Sequence, residues 1–171
     1  MKTPSVSCVA FMLLTLFLLV SCVDGTKKES ESEFVHPQVL REKPSRSPSK
    51  GIGPIKEIEL ADSLDPEKVK KGKLLFQMKC ASCHKLTDQR LVGPGWEGIT
   101  NTRQPEWIMN MITNTEEMLE KDRLAKIQLE ECVTRMPNQN VTIEEARSIL
   151  EFMRQNDLDQ VNKKDGALQE K

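Results

Sequence analysis

CASCH, Cys80 to His84, is the stretch on which the reading of this chain turns. Two thiols three residues apart reach one flat ligand together, and an imidazole follows the second thiol with no spacer. That order suits a porphyrin: each thiol adds to one vinyl group, and the histidine turns a ring nitrogen toward the iron. Two other chemistries use C-x-x-C. A thioredoxin-like dithiol wants a preceding strand and a βαβ setting, whereas the residues before Cys80 read as a helix. A zinc site wants a second Cys/His pair, which Cys132 and distant His36 do not supply. The motif predicts one covalent haem c, with Cys80 and Cys83 as thioether residues and His84 as an iron ligand.

The flanking segments are helical. Asp65-Pro66-Glu67 is an N-cap, a proline at the first position and an acid in the first turn. Leu64, Val69, Leu74, Leu75, Phe76 and Met78 then supply apolar positions up to Cys80. Gly72 costs about 1 kcal/mol against Ala inside a helix, so it either lets another helix cross closely or sits on a tolerant surface. Pro105-Glu106 opens a helix with Trp107, Ile108, Met111 and Ile112, Asn114 or Thr115 caps another, and Asp122 to Cys132 reads as a third. Thr142-x-x-Glu145 is a capping box opening the last helix, whose Phe152 is the candidate to meet Gly72 and Phe76. No strand pattern occurs in this region. The expected fold class is all-α.

Gly72, Phe76, Cys80, Cys83, His84, Val92-Gly93-Pro94 and Gly98 together resemble the class I cytochrome c pattern, covering about Asp65 to Leu158. The resemblance implies helices wrapped round one haem, with the Pro94 carbonyl accepting a bond from His84 and fixing its tautomer. Trp96, within Gly95 to Gly98, stands where that family often has an aliphatic residue. The resemblance also places the sixth ligand. Of the methionines after the motif, Met109, Met111, Met118 and Met153 lie in helical patterns, whereas Met136-Pro137 lies in a loop shortly before the last helix. Met136 is thus the expected thioether ligand. Cys132, four residues earlier, is the competing donor, read first as a buried inert thiol. Trp107 belongs to the expected haem environment: it either donates its N–H to a haem propionate, as the equivalent aromatic does in that family, or simply packs. Asn138 and Asn140 stand either as donors near the thioether or as exposed loop residues.

The N-terminal residues imply export. Lys2 is followed by an apolar run, Val9 to Val20, too short for the roughly 20 residues a spanning helix needs. Leu19 to Cys22 (LVSC) resembles the bacterial lipobox, which makes 1–21 a lipoprotein signal peptide and Cys22 the lipidated first residue of the mature chain; a plain cleaved signal is the alternative. Residues 22–60, rich in charge, Ser, Pro and Gly, read as a flexible tether. The thirty-eight residues after Cys22 span roughly 35 Å on average and at most roughly 125 Å. His36 reads as an ordinary linker histidine. The cytochrome domain is expected over 61–158, with a polar, frayed tail over 159–171.

The charges nearly balance, 25 basic against 26 acidic, so nothing points to nucleic acid. With five Phe, two Trp and no Tyr, an ordinary apolar core is thin, and a large buried cofactor relieves the shortage. The leading function is one-electron transfer between extracytoplasmic redox proteins on the periplasmic side of a membrane. The alternative is a haem peroxidase or gas sensor with an open sixth coordination site. Trp96 to Leu119 and Arg135 to Phe152 also resemble a lipid-anchored monohaem group of Bacteroidetes-type respiring bacteria. That resemblance implies a terminal reductase, such as nitrous-oxide reductase, or an oxidase as the acceptor.

Overall fold

In α1 (Pro66–Lys79) the Asp65 carboxylate accepts from the Glu67 and Lys68 amides at 3.0 and 3.1 Å, satisfying donors the helix cannot bond itself. The structure, a computed structural model, describes residues 46–169. The expected signal peptide, Cys22, His36 and the first part of the tether lie outside the described residues. The other elements are α2 (Ile99–Thr102), α3 (Pro105–Thr113), α4 (Thr115–Lys121), α5 (Arg123–Cys132), α6 (Ile143–Val161) and a 3₁₀ turn, Gly166–Gln169. Asp122 caps α5 through the Leu124 and Ala125 amides, and Thr142 with Glu145 forms the capping box of α6. Among the described residues there is no strand, only one backbone bridge, between His84 and Arg90. The fold is all-α.

The crossing of α1 and α6 organises the rest. A Cβ on Gly72 would lie 2.0 Å from the Ser148 carbonyl oxygen and 2.8 Å from Phe152 Cβ. Only glycine lets the two backbones approach this closely. The Phe76 and Phe152 rings lie 5.7 Å apart beside that crossing. α3 and α4 close the core with Trp107, Ile108, Met109, Ile112, Met118 and Leu119.

Both ends of the expected domain need correcting. The tether read as running to residue 60 is already packed on the domain from residue 46. Asn110, fully buried, accepts from the Ile55 amide at 3.1 Å and donates to the carbonyls of Lys50 and Ile55 at 3.0 and 2.8 Å. Ser47 N–H donates to Thr102 O at 3.1 Å, and the Ile55 side chain is buried. Gly51 and Gly53 hold positive φ, and a Cβ on Gly53 would lie 2.3 Å from Asn110 Oδ1. The weak alternation of Pro54 to Leu60 suits a segment lying along the domain, and there Ile55 is buried while Ile58 and Leu60 pack against the core. Residues 46–53 carry no such pattern, because they are held mainly through backbone groups and side-chain amides.

The tail is corrected likewise. α6 continues past Leu158 to Val161, ends on Asn162 at φ +53°, and the chain turns back across α2. Gly166 N–H donates to Asn101 Oδ1 at 2.9 Å, Gln104 donates to Ala167 O at 2.8 Å, and Ala167 is buried. Arg154 is the reason. Its buried guanidinium bonds Asp165 with two nitrogens, Glu151 at 2.9 Å and the Ala61 carbonyl at 2.7 Å. One α6 side chain therefore fastens both the tail and the segment before α1.

Candidate functional site

CASCH occupies the turn that ends α1. Cys80 N–H bonds Phe76 O, and the Cys83 and His84 amides both bond Cys80 O, at 3.0 and 2.9 Å. The tight turn brings Cys80, Cys83 and His84 together. The following loop folds back onto it: Val92 and Gly93 amides donate to Cys83 O at 3.2 and 2.8 Å, and Trp96 N–H donates to Lys85 O at 2.9 Å. That return brings Pro94 beside the imidazole, and His84 Nδ1 donates to Pro94 O at 2.8 Å. The tautomer is thereby set, and Nε2 is the nitrogen left with a lone pair.

Gly93 makes the arrangement possible, since a Cβ there would lie 2.4 Å from His84 Cε1. Behind the imidazole stands Trp96, 6% exposed, with ring centroids 5.6 Å from His84 and 4.8 Å from Phe76. The larger residue at 96 thus fills a wall shared by the histidine and the α1–α6 core. Burial holds the His84 pKa below its usual value, opposed by the Pro94 bond. The imidazole is therefore neutral at neutral pH, as a metal ligand must be.

The cysteines are unlike a thioredoxin dithiol. Burial pushes the Cys80 thiol up to about 11 against the pull of Lys79, with Cys83 adding to the rise. A redox-active C-x-x-C thiol has a lowered value instead. No cluster of three or more His, Cys, Asp or Glu able to hold a metal ion occurs among the described residues. Two unpaired thiols and a neutral, oriented imidazole cleared by Gly93 are the donor set haem c requires.

Met136 lies half-buried in the loop between α5 and α6. Lys79 Nζ, beside Cys80, donates to Gln139 O at 3.0 Å and ties this loop to the end of α1. Asn138 accepts from the Asn140 amide at 2.8 Å, so its side-chain oxygen serves the loop. Cys132 ends α5 half-buried rather than buried as expected. Trp107 takes the packing alternative, not the propionate one. Its side chain is buried, and its N–H donates to Asp122 Oδ1 at 3.0 Å. The cap of α5 brings that carboxylate to the indole, with Arg103 5.6 Å over the ring. In the sequence Asp122 reads only as the start of a helix, which carries no sign that its carboxylate meets the indole.

The family model for cytochrome c matches residues 69–157. The chain belongs to the cytochrome c family. Within it, this cytochrome is of class I and c-type, it binds covalent haem c, and Cys80 and Cys83 stand at the attachment positions. Among solved structures it is similar to a cytochrome c from Rhodothermus marinus, 34% identical, with a TM-score of 0.61 over 63% of this chain and 92% of that one. An engineered cytochrome c from the same organism is 33% identical, with a TM-score of 0.59 over 61% and 90%. The engineered form bound to a carbene intermediate is 34% identical, with a TM-score of 0.57 over the same shares. No curated protein matches the chain. The family and these neighbours support haem-based electron transfer.

Proposed function

We propose that this cytochrome is a lipid-anchored carrier of single electrons between extracytoplasmic respiratory proteins, with His84 and Met136 as the axial ligands of its haem iron. The observation that carries the reading is the half-buried imidazole tied through Nδ1 to Pro94 at 2.8 Å. A histidine so held keeps one geometry through repeated reduction and oxidation. Haem c at these residues supplies a ferric/ferrous couple that takes up and releases one electron. A thioether opposite the imidazole favours the reduced state and raises the potential.

Cys22, following a short apolar run, supplies the lipid anchor and places the protein on the periplasmic side of a membrane. No helix among the described residues is long and apolar enough to cross a membrane. With residues 46–60 packed on the domain, the stretch between Cys22 and the domain is shorter than the sequence alone implies. The donor is a respiratory complex, and the acceptor a terminal reductase, such as nitrous-oxide reductase, or an oxidase. The interfaces of such a carrier fall at the small, transient end of the range.

A second reading, a peroxidase or gas-binding protein with an open sixth position, is favoured by one observation: the engineered Rhodothermus marinus relative is described with a carbene bound. Carbon monoxide separates the two. The carrier reading expects the Soret band of the reduced protein to stay unchanged on adding CO. A CO-shifted band favours the open site.

A further inference from the structure

The segment carrying Met136 is tied at both ends to the residues that flank CASCH. Before Met136, Arg90 reaches the C-terminus of α5, with Nη1 donating to Glu131 O at 2.5 Å and Nη2 to Glu131 Oε2 at 3.3 Å. A guanidinium there satisfies a helix-end carbonyl and lies at the negative end of the helix dipole. The backbone of Arg90 is itself bridged to His84. After Met136, Lys79 donates to Gln139 O at 3.0 Å, one residue before Cys80. Residues 131 and 139 thus bracket Met136, and each is held by a cation from the haem-attachment segment.

The helix end between these ties lacks the usual closing residue. Val133 takes the left-handed position after α5 with φ +63° and is 92% exposed. Glycine or asparagine ordinarily fills that position, and a β-branched residue there is strained. Val133 gains no burial in return. The turn leading to Met136 is thus held by ties to other elements: the two cations from the haem-attachment segment, and Arg135, whose Nη2 donates to Glu116 Oε2 at 3.4 Å with both side chains exposed.

We propose that Lys79 and Arg90 are positioning residues that set the separation between His84 and the Met136 loop, and so keep the thioether at the iron. The proposal rests on the reading of Met136 as the sixth ligand. The Arg90 tie is at the surface, with the Arg90 and Glu131 side chains 42% and 58% exposed, and the Lys79 tie is half-buried, so each alone is a modest restraint. Their effect is on how often the loop opens, not on whether the domain folds.

The test compares holoprotein variants Lys79→Ala, Arg90→Ala and the double variant, with Arg90→Lys as the conservative rescue. Lys121→Ala, which breaks only the Glu117 pair on α4, is the control. One readout is imidazole binding to the ferric protein, followed by loss of the sulfur-to-iron charge-transfer band. The other is amide hydrogen exchange across residues 132–141, which does not depend on ligation. Each single variant is expected to raise imidazole affinity roughly two- to fivefold and to speed exchange in that segment. The double variant exceeds both singles, Arg90→Lys recovers part of the effect, and Lys121→Ala changes nothing. If wild type shows the charge-transfer band but both alanine variants bind imidazole and exchange as wild type does, the proposal is overturned. If wild type lacks the band, the Met136 reading fails, and exchange alone decides whether the ties hold the loop.

Discussion

His84 depends on a residue with no side chain. The Pro94 carbonyl meets Nδ1 only because the loop passes over the imidazole at Gly93, where a Cβ would come within 2.4 Å of Cε1. The contact is with a ring locked by its own hydrogen bond, not with the movable end of a flexible chain, so neither partner yields cheaply. Gly93→Ala is expected to lower the fraction of protein recovered with covalent haem, measured as the mass increment on the intact chain. A protein fully loaded with Gly93→Ala in place would show that the loop tolerates the displacement. At this scale the sequence was largely legible. The motif named Cys80, Cys83 and His84, and the resemblance to class I cytochromes c implied the Pro94 carbonyl. Trp107 was not legible, since the choice between a propionate and Asp122 depends on where α5 begins in space, which no local pattern carries.

The helices were legible because their ends are written in residues with a local mechanism: Asp65 before Pro66, Asp122 before α5, and Thr142 with Glu145 before α6. The short α2 and the first part of the strap, 46–53, were not, whereas Pro54 to Leu60 carries a weak alternation that suits a segment lying along the domain. The strap's bonds run to Asn110, more than fifty residues away in sequence, and a buried asparagine in an apolar helix gives no hint of what it holds. Asn110→Ala removes one acceptor and two donor contacts at once. Each buried backbone group left without a partner costs about 1–3 kcal/mol. The strap is therefore expected to detach into water rather than stay docked, with rapid amide exchange and protease cleavage confined to residues 46–60 and a lower unfolding midpoint. Unchanged protection of Ile55 in Asn110→Ala would show that Ile55 burial and the strap's other bonds, such as Ser47 N–H to Thr102 O and Asn114 to Ile52 O, hold it without Asn110.

Across the whole molecule the buried charges on α6 join the two ends of the domain, a role the sequence hid because Glu151, Arg154 and Asp157 read as a polar helix face. Burial pushes the Glu151 and Asp165 carboxyls up. Hydrogen bonds and charges from Arg147 and Arg154, the Asp65 amide and Lys164 outweigh it, leaving both below their ordinary values of 4.5 and 3.8. A depressed carboxylate contributes stability that is complete above its ordinary value and is lost as pH falls through the folded value. Asp157, raised by burial against its bonds from Thr100 and Gly98, runs the other way. Thermal unfolding of the holoprotein is expected to move to lower temperature as pH falls below about 4.5, and Asp165→Asn is expected to flatten the fall. Arg154→Met leaves buried Glu151 with Arg147 and half-buried Asp165 with Lys164 as their remaining cations, and is expected to cost about 1–3 kcal/mol at neutral pH. A pH profile of Asp165→Asn identical to wild type would remove the tail from this account.

The central claim, a single covalent haem exchanging one electron, meets its most direct test in an equilibrium redox titration of the purified protein followed by its visible absorption. The account predicts one reversible wave with a one-electron slope and sharp reduced bands. A colourless protein with free thiols at Cys80 and Cys83, or a wave that departs from a one-electron slope, would contradict it.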